Sequence, residues 1–188
     1  MAKAKKKASM LGIIMGIFVL GLCAMAIAGA FIDEWTVTTG EASFIPDKTV
    51  ELGSMSLEDY KDSVDIVKDS DVNWDAIKDA FEDAENNLTE VMVAFGYLTV
   101  ALAIALVISY LLKMVLNFSL MRIITGLLGI ATLVSGVVLV AVTASLCKDL
   151  SLAIGGIAAT TTLGVAAYLT CIGAMAGGLC AVVGCARK

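Results

Sequence analysis

The chain has no histidine, a single proline (Pro46) and no cysteine between Cys23 and Cys147. Without histidine the usual zinc ligand sets lose a main member. Without cysteine, the only long polar stretch, Asp33–Glu90, must fold with no internal disulfide. A third absence is more telling. Ala8–Ile32, Val91–Leu112, Ile123–Cys147 and Leu150–Ala186 contain no Asp, Glu, Lys, Arg or His. Such stretches offer no proton relay, gating charge or ion-coupling carboxylate, which argues against a secondary active transporter. They also lack any set of nucleophile, base or metal ligands, so the expectation is a protein that is not an enzyme, with no catalytic residues, no cofactor and no metal.

What is present is apolar. Hydrophobic residues make up 59% of the sequence, the mean hydropathy is +0.91, and each uncharged stretch reaches the roughly 20 residues that a helix needs to cross a bilayer. The fold class read from this is all-α integral membrane: a four-transmembrane-helix bundle with a small mixed β/helical external domain between the first two spans. The divisions are 1–7 (basic N-terminus), 8–32 (first span), 33–90 (acidic external domain), 91–112 (second span), 113–122 (hairpin), 123–147 (third span), 148–149 (external turn), 150–186 (fourth span with an extension) and 187–188 (C-terminus). A competing reading makes the first span a signal peptide cleaved near Ala28-Gly29-Ala30, but its apolar run exceeds the roughly 7–15 residues of such a segment. As one straight helix, Leu150–Ala186 would measure about 55 Å against a hydrocarbon core of about 30 Å. Its outer part, around Gly155-Gly156 and Thr160–Thr162, is therefore expected to leave the bilayer or pack on the external helices. A polar path lined by these threonines is the alternative.

Basic residues next to span ends stay on the cytoplasmic side. Lys3, Lys5, Lys6 and Lys7, then Lys113 and Arg122, then Arg187 and Lys188 put both termini and the hairpin in the cytoplasm of a multi-pass plasma (cytoplasmic) membrane protein. Asp33–Glu90 then faces outward with 17 acidic residues and four lysines, a net charge of −13. Such a surface repels phosphates, which excludes nucleic acid as a partner.

Within that region, Trp35–Thr39, Ala42–Ile45 and Thr49–Leu52 are aromatic or β-branched and predict a hairpin or three-stranded sheet, with a turn at Pro46-Asp47. Ser56 and Asp59 form a capping-box-like helix start. Leu57, Tyr60, Val64 and Val67, and then Trp74, Ile77, Phe81, Ala84, Leu88 and Val91, place apolar stripes at helical spacing. The second stripe predicts one long helix running into the second span, unbroken before Gly96. Trp74, Ile77, Phe81 and Leu88 are the candidate interaction residues, because an acidic helix needs a partner surface for such a stripe. Asp69–Asp75 has the alternating oxygen ligands of a calcium loop but carries Trp74 where glycine is required and Ala80 at the twelfth position, so it reads as an acidic turn. Asn87-Leu88-Thr89 is a formal glycosylation sequon too close to the membrane edge for ready access. In the spans, Gly12/Gly16, Gly173/Gly177 and Ala174/Gly178 have the four-residue spacing of close helix packing. Cys180 and Cys185 stand where palmitoylation occurs or serve as small packing residues.

The order of elements, with Phe31–Val37 placing a tryptophan just beyond the first span and Ile124–Gly129 through Ser135-Gly136 giving a third span rich in small residues, resembles the claudin-like tetraspan superfamily. The family's Gly-Leu-Trp motif and loop cysteine pair are absent. The resemblance implies a β-containing first external loop and a helix feeding the second span. The function expected is association through the external domain, either lateral, as a homo-oligomer, or with another membrane or cell-surface protein, in the lipid bilayer. The alternative is an oligomeric cation-preferring pore, whose mouth the acidic loop would enrich in cations.

Overall fold

The computed structural model describes residues 10–41, 49–62, 85–116, 119–153 and 159–186. Its helices are α1 (Met10–Gly29), α2 (Glu85–Leu116), α3 (Ser119–Ala153) and α4 (Val165–Ala186), and its strands are β1 (Thr36–Glu41), β2 (Thr49–Met55) and β3 (Ala159–Leu163). All four helices are long and apolar enough to cross a membrane. The protein is a multi-pass membrane protein with a tetraspan helical bundle and a small mixed β/helical region between the first two spans.

Lipid tails are as apolar as leucine, so helices in a bilayer are held by close packing and hydrogen bonds rather than by escape from water. α4 shows how the sequence supplies this. It lies between α1 and α3, with a different row of small residues toward each. A Cβ on Gly173 would come within 2.6 Å of the Leu22 carbonyl oxygen in α1, and one on Gly177 within 3.0 Å of Cys23 Sγ. A Cβ on Gly178 would instead lie 2.5 Å from the Gly129 carbonyl oxygen and 2.9 Å from the Leu133 nitrogen in α3. The small-residue spacings in the sequence are thus packing faces within one chain. α1 contributes Val19, Cys23 and Ala26 to the buried core, as an integral member of the bundle.

α2 and α3 are joined by buried hydroxyl pairs, Thr99 to Ser135 at 2.6 Å and Ser109 to Thr125 at 2.7 Å. Thr132, Thr143 and Thr170 donate to the carbonyls of Leu128, Leu139 and Ala166, four residues back in their own helices. Large aliphatic side chains such as Ile17, Leu120, Leu127 and Leu179 point outward, as a lipid-facing surface requires.

At one end of the bundle the α2–α3 connection meets the last turn of α4. Lys113 Nζ donates to the Gly184 carbonyl at 3.0 Å and Arg122 Nη2 to the Cys185 carbonyl at 3.0 Å. Two cations thereby satisfy carbonyls that a helix C-terminus leaves unpaired. Tyr110 fills the space beside them: its hydroxyl donates to the Gly12 carbonyl at 3.2 Å, its ring lies against Gly16 and Gly184, and Lys113 Nζ sits 4.4 Å from its centroid.

The other end carries the sheet, in the order β2-β1-β3 with both pairings antiparallel. Here the structure departs from the sequence reading. α3 continues through Lys148 and Asp149, where an external turn was expected, as far as Ala153, and the third strand is Ala159–Leu163. Hydropathy alone merges this strand with the fourth span, because alanine, threonine and leucine count the same in either conformation; the β-branched run Thr160–Thr162 favours the strand. The threonines are committed to β1. Thr161 Oγ1 lies 3.1 Å from Thr38 Oγ1, and Thr162 Oγ1 donates to the Val37 carbonyl at 3.4 Å. Ala42–Ile45, the other expected strand, lies outside the described residues. α2 does run into the membrane from Glu85 without a break, and Gly96 lies within it. With 32 and 35 residues, α2 and α3 measure about 48 and 52 Å and extend past a hydrocarbon core of about 30 Å.

Candidate functional site

The sheet end of the bundle is organised around Trp35. α1 ends at Gly29, and a turn in which Ala30, Phe31 and Ile32 donate to the carbonyls of Ile27, Ala28 and Gly29 brings the chain to Asp33 and Glu34, both exposed. Trp35 then turns inward and is fully buried. It packs in one cluster with Leu57, Tyr60, Met92, Leu139, Leu146 and Ala166, drawn from the sheet-end region and from α2, α3 and α4. The indole closes the end of the bundle. Its Nε1 is the one buried side-chain polar atom without a hydrogen-bond partner among the described residues.

The backbone at this point serves three elements together. Trp35 N donates to the Met55 carbonyl at 2.8 Å, extending the β1–β2 ladder, while Gly164 N donates to the Trp35 carbonyl at 2.8 Å and Ala166 N to the Glu34 carbonyl at 3.1 Å. The last two bonds satisfy amides at the start of α4, which a helix cannot pair internally. The approach is so close that a Cβ on Gly164 would overlap the Glu34 carbonyl oxygen, so a side chain is excluded there.

A second anchor comes from the segment after β2. Ser56 and Asp59 form a reciprocal capping box: Asp59 N donates to Ser56 Oγ at 3.0 Å, and Ser56 N and Oγ each donate to Asp59 Oδ2 at 2.8 Å. The backbone N–H of Ser56, followed by its hydroxyl, holds the Asp59 carboxyl below the ordinary carboxylate value. Residues 57–62 are helical, and their inner face is pinned twice. Leu57 sits over Gly96, where a Cβ would come within 2.9 Å of Leu57 Cδ2. Tyr60 forms a buried hydrogen bond of 2.8 Å with Thr36 Oγ1. Burial raises the Tyr60 pKa, opposed by its bond to Thr36, so the phenol stays neutral.

With Thr36 directed at the bundle, strand alternation places Val37, Thr39 and their cross-strand partners Ser54, Thr162 and Thr160 on the opposite face. Ser54, Thr160 and Thr162 are exposed. This outward face carries the hydroxyls of Thr39, Ser54, Thr160 and Thr162 beside the half-buried Val37.

Of the four interaction residues expected from the sequence, Leu88 is half-buried against the Trp35 cluster, within its own chain. Trp74, Ile77 and Phe81 lie outside the described residues, as do Val64, Val67 and Asp69–Asp75. The sequon residues Leu88 and Thr89 are both half-buried on α2. None of the five cysteines forms a disulfide, and among the described residues no three His, Cys, Asp or Glu side chains are grouped to hold a metal. The residues that organise this end are Trp35, Gly96 and Gly164. Trp35 stood out in the sequence by its place just beyond the first span, and Gly96 only as the first glycine in the stripe entering the second; that Gly96 and Gly164 each receive a close neighbour carries no signal until that neighbour is known. No model of a known protein family matches the chain, and no curated protein matches it in sequence.

Proposed function

We propose that this is a non-enzymatic membrane protein whose sheet-end domain mediates association, laterally with copies of itself or with another membrane or cell-surface protein. Both termini are cytoplasmic in this reading, the membrane is the plasma (cytoplasmic) membrane, and the architecture is a claudin-like variant without the loop disulfide. One observation carries the proposal: the sheet takes strands from both connections at its end of the bundle and is seated on it through Trp35 and the Gly164 contact. Its outward face is thereby held at a fixed orientation to the membrane, and a pre-formed surface loses less entropy on binding than a free loop. The small-residue faces of α4 are used within the chain, which leaves the sheet end to receive the partner. The buried hydroxyls of α2 and α3 pair with each other or with their own helices, which favours association over conduction.

The test is the mass of the purified chain in lipid nanodiscs, with chemical cross-linking in native membranes. Ser54→Arg/Thr160→Arg, placed on the outward face, should reduce cross-linked oligomers or partner adducts without lowering the melting temperature. A monomer that captures no membrane protein, or a reproducible cation-selective conductance from the wild type, would overturn the proposal.

A further inference from the structure

The Trp35 cluster marks one level across the bundle. Val93 of α2, Leu139 of α3 and Ala166 of α4 belong to it, while Ala30 and Phe95 pack against it. At this level the outward side chains change character. Phe31, in the turn after α1, is 74% exposed, Tyr168 on α4 is 52% exposed and Tyr97 on α2 is 42% exposed. Toward the hairpin end the outward surface is apolar, with Phe18, Ile104 and Ile172 among its exposed side chains. Toward the sheet, charge enters: Asp33 and Glu34 follow Phe31, Glu90 precedes Tyr97, and Lys148 lies on α3, all four exposed.

We infer that the sheet-side surface of the bilayer crosses the protein at this level, with Phe31, Tyr97 and Tyr168 seated in the lipid headgroup layer as its anchors. Three observations select lipid as the occupant. The patch is continuous with the lipid-facing surface of the spans, and a tyrosine that is apolar along its ring and polar at its tip suits a boundary that is dry on one side and wet on the other. The turn carrying Phe31 leaves no amide wanting, because Ala30, Phe31 and Ile32 donate to the carbonyls of Ile27, Ala28 and Gly29, so its backbone tolerates the edge of the hydrocarbon. The lengths also agree. Tyr97 stands sixteen residues before Lys113 and Tyr168 seventeen before Cys185, about 24 and 26 Å of helix, which with side-chain reach matches a core of about 30 Å. The start of α2 and the end of α3 then rise out of the hydrocarbon, and the sheet rests directly on the membrane surface. The inference concerns lipid contact by a single copy, so it does not rest on the association reading.

The test is depth measurement on the full chain in phosphatidylcholine nanodiscs. With the five native cysteines changed to Ala, nitroxide labels are placed singly through Phe31→Cys, Tyr97→Cys and Tyr168→Cys, with Ile104→Cys and Ser54→Cys as references. Ile104 lies seven residues beyond Tyr97, about 10 Å deeper along α2. Collision with oxygen, which concentrates in hydrocarbon, is compared with collision with a water-soluble nickel chelate. Oxygen should dominate at Ile104 severalfold and the chelate at Ser54 severalfold, with the other three labels between them. A second measurement keeps the native cysteines: Phe31→Trp and Tyr168→Trp, each in a Trp35→Phe/Trp74→Phe chain, should be quenched severalfold more by lipid brominated near the headgroup than by lipid brominated near the chain end. Labels at 31, 97 and 168 that match Ser54 would leave these residues in water, and labels that match Ile104 would move the boundary toward the sheet. Labels shielded from both reagents would put a protein partner there, and equal quenching by the two lipids would remove the aromatic anchors. Each of these results would overturn the assignment.

Discussion

At the scale of single residues, the seat of the sheet makes three sharp demands. The unpaired Trp35 Nε1 means that Trp35→Phe removes a buried donor gaining nothing from its surroundings, so the volume lost is partly offset and the cost should stay below about 1.5 kcal/mol. Trp35→Ala empties the end of the bundle and should cost roughly 3–5 kcal/mol; similar melting temperatures for the two variants in nanodiscs would refute the plug. Gly164 stands against the Glu34 carbonyl, so even Gly164→Ala must push β1 away from the start of α4, lowering the melting temperature and exposing the amides of Gly164 and Ala166 to hydrogen exchange. The Ser56–Asp59 cap is a pH-dependent element. The folded-state pKa of Asp59 is depressed, so its contribution is complete above the ordinary carboxylate value of about 4 and is lost as pH falls through the lower folded value. The amide resonances of Ser56 and Asp59 should titrate with a midpoint below that of an unstructured peptide, and a midpoint at or above it would remove the cap from the account.

At the scale of elements, glycine has opposite meanings on different helix faces. A Cβ on Gly173 would press on the backbone of α1, while one on Gly21 would meet nothing within 4 Å. Gly173→Val should therefore separate α1 from α4 at a cost of roughly 1–3 kcal/mol. Gly21→Ala should be neutral or stabilising by up to about 1 kcal/mol through helix propensity. Thermal unfolding of the pair in one detergent checks this, and equal effects would show that α4 does not pack as described. Gly96 carries the same lesson. From sequence it is the first glycine to interrupt the stripe entering the second span; in the fold it is a notch in an unbroken α2 that receives Leu57. The β3 segment shows the converse limit, for composition joins Thr160–Thr162 to an apolar stretch, whereas pairing with β1 makes them strand.

At the scale of the molecule, the sequence concentrates its acidic residues between the first two spans and its basic residues beside the other span ends, a pattern from which the positive-inside rule gives the proposed orientation. Cysteines introduced at Ala4 and Ser54, in a chain cleared of its five native cysteines, should respond oppositely to an impermeant thiol reagent on intact cells: Ser54→Cys labelled, Ala4→Cys protected. Labelling of Ala4→Cys would reverse the proposed orientation.

The sequence by itself determined the class of the protein, its four spans, the acidic region between the first two and the capping box at Ser56, because each depends on residues close together in the chain: long uncharged runs, charge beside span ends, a hydroxyl and a carboxylate three residues apart. Tertiary structure decided which faces of α4 meet α1 and which meet α3, that the strand completing the sheet comes from the far side of α3, and that Trp35, Leu57 and Gly164 hold the sheet on the bundle. These depend on contacts between residues far apart in sequence. In the apolar segments a glycine facing lipid and a glycine facing a neighbouring backbone are the same letter, and only the approach of the second helix tells them apart.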